Sequence, residues 1–115
     1  MITTTQQENG ITIVELTGNI IGEVIPQLRQ EMITHIDKNE TPRILVNLKG
    51  VHKMDSSGLG TLANVYNLAR AKNGRIGIIN VGRNISSLLV KSRLINIFEH
   101  YKTKNAALSS LARRF

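Results

Sequence analysis

Strand-length apolar runs alternate along this chain with stretches whose apolar residues recur every three or four positions, and that alternation restricts what it can fold into. Three runs stand out: Ile11–Thr17, residues 44–48 and residues 75–81. In the first two, apolar side chains fall on both faces, the pattern of strands inside a sheet. Between them, Ile25, Leu28, Met32, Ile33 and Ile36 predict a helix over about 24–38, with Pro26 in its first turn. Pro42 closes that segment, because proline lacks an N–H and disfavours helix in the residue before it. Leu59, Leu62, Ala63, Tyr66 and Ala69 then form one face of a second helix, stopped at Asn73-Gly74 by the glycine.

Weaker signals fill the ends. Residues 3–7 are β-compatible, and Asn9-Gly10 favours a two-residue hairpin turn into the first strong run. Ile85, Leu88 and Leu89 mark a shorter helix with Asn84 as its cap residue. A short strand over about 97–100 and a last helix over about 105–113, with Leu108 and Leu111 inward, complete the order. Strands alternating with helices imply an α/β fold, with a mixed, mostly parallel sheet of about five strands, one hairpin at its start, and about four flanking helices.

With 115 residues, 41% of them apolar, the chain supports one core, and a single domain over 1–115 is expected. No apolar stretch approaches the roughly 20 residues of a membrane span, and the N-terminus lacks a basic-then-apolar signal pattern, so a cytoplasmic location is expected. Without cysteine, and with His35, His52 and His100 scattered, neither a metal nor another cofactor is expected. The net charge of +7 is uneven: five basic and seven acidic side chains lie up to position 69, ten basic ones against Glu99 alone beyond it. Those basic residues are spread singly and aromatics are few, so direct nucleic-acid binding is not expected.

The stretch Lys53-Met54-Asp55-Ser56-Ser57-Gly58-Leu59-Gly60 places an acid and two hydroxyls where a strand hands over to a helix. The first helical N–H groups there lack partners within the helix and favour an acceptor or a negative charge. Hydrolase chemistry fails on the motif, since a nucleophile elbow needs glycine two positions before the serine and position 54 is methionine. Phosphate-cradling loops fail too, because no lysine and hydroxyl follow Gly58-Leu59-Gly60. No enzyme activity is expected. Capping accounts for one of the three polar side chains; an exposed hydroxyl pair behind an acid exceeds what a cap requires.

Met-Asp-Ser-Ser-Gly-Leu-Gly in this position resembles the motif of the STAS family of anti-sigma factor antagonists. The resemblance extends over nearly the whole chain, through Leu16-Thr17-Gly18, residues 44–48, and the pattern Ile85, Leu88-Leu89, Ser92, Leu94, Ile97-Phe98. It implies a phosphorylation-controlled switch. The unphosphorylated antagonist binds an anti-sigma factor that is itself a serine kinase, freeing the sigma factor; the kinase phosphorylates the serine after the aspartate, and a PP2C-type phosphatase resets it. Carried over, the phosphorylated residue is Ser56, and the partner-binding surface is Asp55, Ser56, Ser57, Gly58, Leu59 and Gly60, with Asn19 and Glu23 nearby. The alternative is an unphosphorylated STAS scaffold or accessory subunit of a signalling or membrane lipid-transport complex, reaching a membrane only through its partner. Two positions depart from the family pattern. Isoleucine stands at 21 where members often carry an acid, and Ser92-Arg93-Leu94 replaces a frequent Ser-Gly-Leu, at a cost of about 1 kcal/mol if position 93 takes a positive φ.

Overall fold

In the computed structural model, which describes residues 2–94 and 96–112, Asn9 and Gly10 take positive φ (+54° and +78°) and turn β1 (Ile2–Glu8) back on β2 (Ile11–Thr17). Glu8 pairs with Ile11, so the hairpin has the two-residue loop its dipeptide predicts. The chain continues through a single 3-10 turn (Gly22–Val24), α1 (Ile25–Asp37), β3 (Arg43–Gly50), α2 (Ser56–Ala71), β4 (Arg75–Ile79), α3 (Arg83–Lys91), β5 (Glu99–Tyr101) and α4 (Lys104–Leu111). The sheet order is β1-β2-β3-β4-β5, antiparallel at the first pair and parallel at the rest. The mixed, mostly parallel α/β sheet is thus as expected.

Each parallel crossover steps one strand in the same direction, and right-handed crossovers of that kind stack their helices on one face. The side chains record this. Val14 and Leu16 of β2, Val46 and Leu48 of β3, and Ile76 and Ile78 of β4 share one core with Leu28 and Met32 of α1, Leu62 and Val65 of α2, and Ile85 and Leu89 of α3. The alternate positions Ile11, Ile13, Leu45 and Ile79 pack on the other face against Ala107, Leu108 and Leu111 of α4. Arg75 ties that last helix down: its Nη1 donates to the Ser110 carbonyl at 2.6 Å while the guanidinium pairs with Glu99.

Several boundaries differ from the sequence reading. The cap of α3 is Gly82, with no side-chain hydrogen bond, and Asn84 already lies inside the helix; the Ser86 N–H reaches the Gly82 carbonyl at 2.9 Å and closes the first turn upstream of Asn84. The last strand is Glu99–Tyr101 rather than 97–100, because Phe98 turns inward, 5% exposed, and meets Tyr66 edge to face with ring centroids 5.7 Å apart. Thr103 caps α4 by accepting the Ala106 N–H at 3.1 Å; the expected end at Arg113 lies outside the described residues. At the end of α2 the residue with positive φ is Asn73 (+58°), not the glycine, and Gly74 is held small by the Pro42 carbonyl, 2.3 Å from where a Cβ would stand.

The end of α3 repeats that arrangement with a costlier residue. The Leu94 N–H reaches the Leu89 carbonyl at 2.9 Å and the Arg93 N–H reaches the Val90 carbonyl at 3.1 Å, the pair of bonds that closes a helix through a left-handed residue. That residue is Arg93, at φ +59°. Glycine at this position removes the left-handed penalty, so Arg93→Gly is expected to raise unfolding stability by about 1 kcal/mol in urea titration, offset in part by chain entropy. A loss of stability would show that the arginine side chain supplies compensation elsewhere.

Candidate functional site

The segments leaving β2 and β3 remain paired after the sheet ends. The Gly18 N–H donates to the Gly50 carbonyl at 3.0 Å and the Ile20 N–H to the Lys53 carbonyl at 2.9 Å. The Ile20 carbonyl then accepts the Asp55 N–H at 3.3 Å, and Ile20 and Met54 form an isolated parallel bridge. Ile20 is fully buried, so this bridge fixes where α2 begins. Gly58 is required by it: a Cβ there would stand 2.7 Å from the Ile20 carbonyl and 2.9 Å from Met54 Cγ.

Asp55 caps α2 from an extended backbone (φ −93°, ψ 179°). Its Oδ1 accepts the Gly58 N–H at 2.8 Å and the Ser57 hydroxyl at 2.7 Å; its Oδ2 accepts the Gly22 N–H at 3.2 Å. These donors hold the carboxyl below the usual aspartate range, the Ser57 hydroxyl most and the Gly58 N–H next. Partial burial opposes them, and the Gly22 and Ser57 N–H groups add to the downward shift.

The two serines therefore differ. Ser57 spends its hydroxyl on Asp55, and its carbonyl accepts the Thr61 hydroxyl at 2.9 Å. Ser56 is exposed at the first position of the helix, and its hydroxyl makes no hydrogen bond among the described residues. Gly60 is exposed too, with open space where a Cβ would be. Asn19 and Glu23 are exposed and line an open groove of about 470 Å³ with Ile21, Gly22, Val24 and Asp55.

Two expected surface residues, Gly58 and Leu59, are buried instead, and Gly58 is covered by the Ile20 carbonyl and the Met54 side chain. Leu59 is 3% exposed and belongs to the core, because it is the first member of the inward apolar stripe of α2. Its side chain is not offered to a partner. Sequence reasoning in turn passed over Ile20 and Gly22, whose backbones build the site. Gly22 left a signal, a glycine two positions beyond the Ile20 bridge, and it takes φ +49°. Ile20 left none, since its contribution is made by main-chain atoms.

Among the described residues no group of three or more His, Cys, Asp or Glu could hold a metal ion, and no helix is long and apolar enough to cross a membrane.

The STAS domain model matches residues 3–107. The chain belongs to the STAS domain family. An anti-sigma F factor antagonist from Paenibacillus polymyxa is 30% identical over 106 residues, which cover 92% of this chain and 91% of that protein. Among solved structures, an anti-sigma factor antagonist from Mycobacterium paratuberculosis superposes with a TM-score of 0.85 at 23% identity, covering 97% and 94% of the two chains. The Bacillus cell fate determinant SpoIIAA in its phosphorylated form gives 0.72 at 20% identity, over 95% and 98%. At these identities the solved structures establish that this STAS domain shares their fold.

The cap makes a pH prediction. A carboxyl whose folded pKa lies below its unfolded value near 4 stabilises fully above that value and loses its contribution as the pH falls through the folded pKa. Asp55→Asn retains a capping oxygen but no charge. Its deficit in urea midpoint relative to wild type is therefore expected at pH 7 and is expected to shrink by about pH 2. Equal deficits at both values would place the loss outside the charge.

Proposed function

We propose that this STAS domain is an anti-sigma factor antagonist that works as a non-catalytic, phosphorylation-controlled binding switch. Unphosphorylated, it binds a serine-kinase anti-sigma factor through the surface around Asp55 and Ser56 and so frees the sigma factor. The kinase phosphorylates Ser56 and ends the complex; a PP2C-type phosphatase restores it. The observation that carries this reading is the inequality of the serines: the Ser56 hydroxyl is exposed and has no hydrogen bond among the described residues, while that of Ser57 is committed to Asp55. The similarity to an anti-sigma F factor antagonist supports the choice of partner class.

Electrostatics account for the direction of the switch. A phosphoryl group brings about −1.5 to −2 charges to a position next to Asp55, whose carboxyl is held in its ionised form. A partner covering that position would have to desolvate both, so the phosphorylated state disfavours the complex. In the free protein the same phosphate lies at the N-terminus of a 16-residue helix, where the helix dipole stabilises it. The fold need not rearrange for the switch to act.

Binding to purified serine-kinase anti-sigma factors of the source organism tests the reading. Ser56→Ala is expected to bind the cognate kinase like unmodified wild type and to remain bound when ATP is added. Ser56→Asp is expected to bind at least about tenfold weaker, as a charge buried without a partner requires. Undiminished binding by Ser56→Asp and by the phosphorylated protein would contradict the switch. Failure of every kinase to bind would favour the scaffold or accessory-subunit alternative.

A further inference from the structure

Ile21 is 42% exposed, and its backbone is extended (φ −138°, ψ 150°) where it leads into the 3-10 turn. Two other large apolar side chains are exposed among the described residues, Leu68 at 38% and Val90 at 58%. Both lie away from the switch: Leu68 is twelve positions beyond Ser56, about 18 Å along α2, and Val90 is near the end of α3. Single exposed apolar residues are ordinary in any protein. What distinguishes Ile21 is the groove it lines, which includes Asp55 itself.

That groove is formed before any partner arrives. The Gly22 N–H is bonded to Asp55 Oδ2, the Val24 N–H reaches the Ile21 carbonyl at 3.3 Å, and Ile20 is locked against residues 53–55. A partner seated there pays little to order the site. The lining residues include two apolar side chains, Ile21 and Val24, and two acids, Glu23 and Asp55, and no base. Asp55 already accepts several hydrogen bonds, so Glu23 is the acid with more capacity for a new cation.

We infer that this groove is an apolar anchor pocket for the kinase, seating one bulky aliphatic or aromatic side chain that is flanked by a basic residue. The inference rests on the reading of Ser56 as the phosphoacceptor. A kinase that reaches Ser56 must cover the adjoining Asp55, and Asp55 lines the groove with Gly22, whose N–H its Oδ2 accepts, so one partner spans both. Ile21 and Val24 select the anchoring side chain, and Glu23 and Asp55 select against an acidic neighbour and for a basic one. Anchoring of this kind draws mainly on apolar burial and survives salt that screens exposed charges.

The test uses the full chain and the purified serine-kinase anti-sigma factors of the source organism, with binding measured by calorimetry at low and high salt and Ser56 phosphorylation measured in parallel. Ile21→Ala is expected to weaken binding about tenfold and Ile21→Asp about a hundredfold, the range of an anchoring residue. The KM for phosphorylation rises with the loss and kcat is unchanged. Leu68→Asp and Val90→Asp are expected to stay within about twofold of wild type, as substitutions outside an interface do. Glu23→Lys is expected to weaken binding about fivefold at low salt, and less at 0.5 M, where the screening length is about 4 Å. Circular dichroism confirms that each variant is folded, and Ile21→Ala carries the test if Ile21→Asp is not. Wild type phosphorylated on Ser56 with both Ile21 variants binding at wild-type strength overturns the anchor and leaves the switch standing. Wild type bound by no kinase overturns the switch, and the anchor with it.

Discussion

Ile20 sits beyond the end of β2 and yet bonds through both its main-chain groups to the segment that follows β3, its N–H to Lys53 and its carbonyl to Asp55. That extra rung of pairing determines where α2 starts and in which direction its first N–H groups point. It brings Gly22 within reach of the Asp55 carboxylate, leaves no room for a side chain at Gly58, and holds Asp55 beside the groove that Ile21 lines. Without it, Asp55 would remain a helix cap but would have no fixed relation to the loop after β2. The cap, the loop and the groove belong to one rigid corner at the C-terminal ends of the parallel strands, the end at which open α/β sheets commonly bind ligands.

Within that corner, polar atoms divide the work unequally. Asp55 gathers donors from the Ser57 hydroxyl, Gly58 and Gly22, and its charge is stabilised by all of them. Ser57 is consumed in doing so. Ser56 occupies the preceding position with its hydroxyl directed to no described partner, at the end of the helix best suited to hold added negative charge. Two adjacent residues of the same chemistry thus become one structural and one available group, because an extended cap at position 55 directs its carboxylate toward positions 57 and 58.

Much of the fold was legible because it depends on patterns longer than one residue. The hairpin followed from Asn9-Gly10, and the parallel sheet from apolar runs alternating with helical stripes. Signals resting on a single residue were less reliable. Asn84 has the chemistry of a cap, but the helix had already closed on Gly82; Ile97 and Phe98 look like strand, but Phe98 fills the core beside Tyr66. Leu59 belongs to the motif by sequence and to the core by geometry, since helical periodicity turns it inward. The contribution of Ile20 is made by main-chain atoms, which no side-chain pattern announces, and Gly22 showed only as a glycine after the second strand. Arg93 was legible as a conditional cost, and its φ of +59° meets the condition.

The central claim is that the corner makes Ser56, and not Ser57, the residue that accepts phosphate. Site-resolved mass spectrometry of the wild-type protein after incubation with its cognate kinase and ATP tests it most directly. The account predicts a single phosphate on Ser56; a phosphate on Ser57, or on a residue away from the N-terminus of α2, would contradict it.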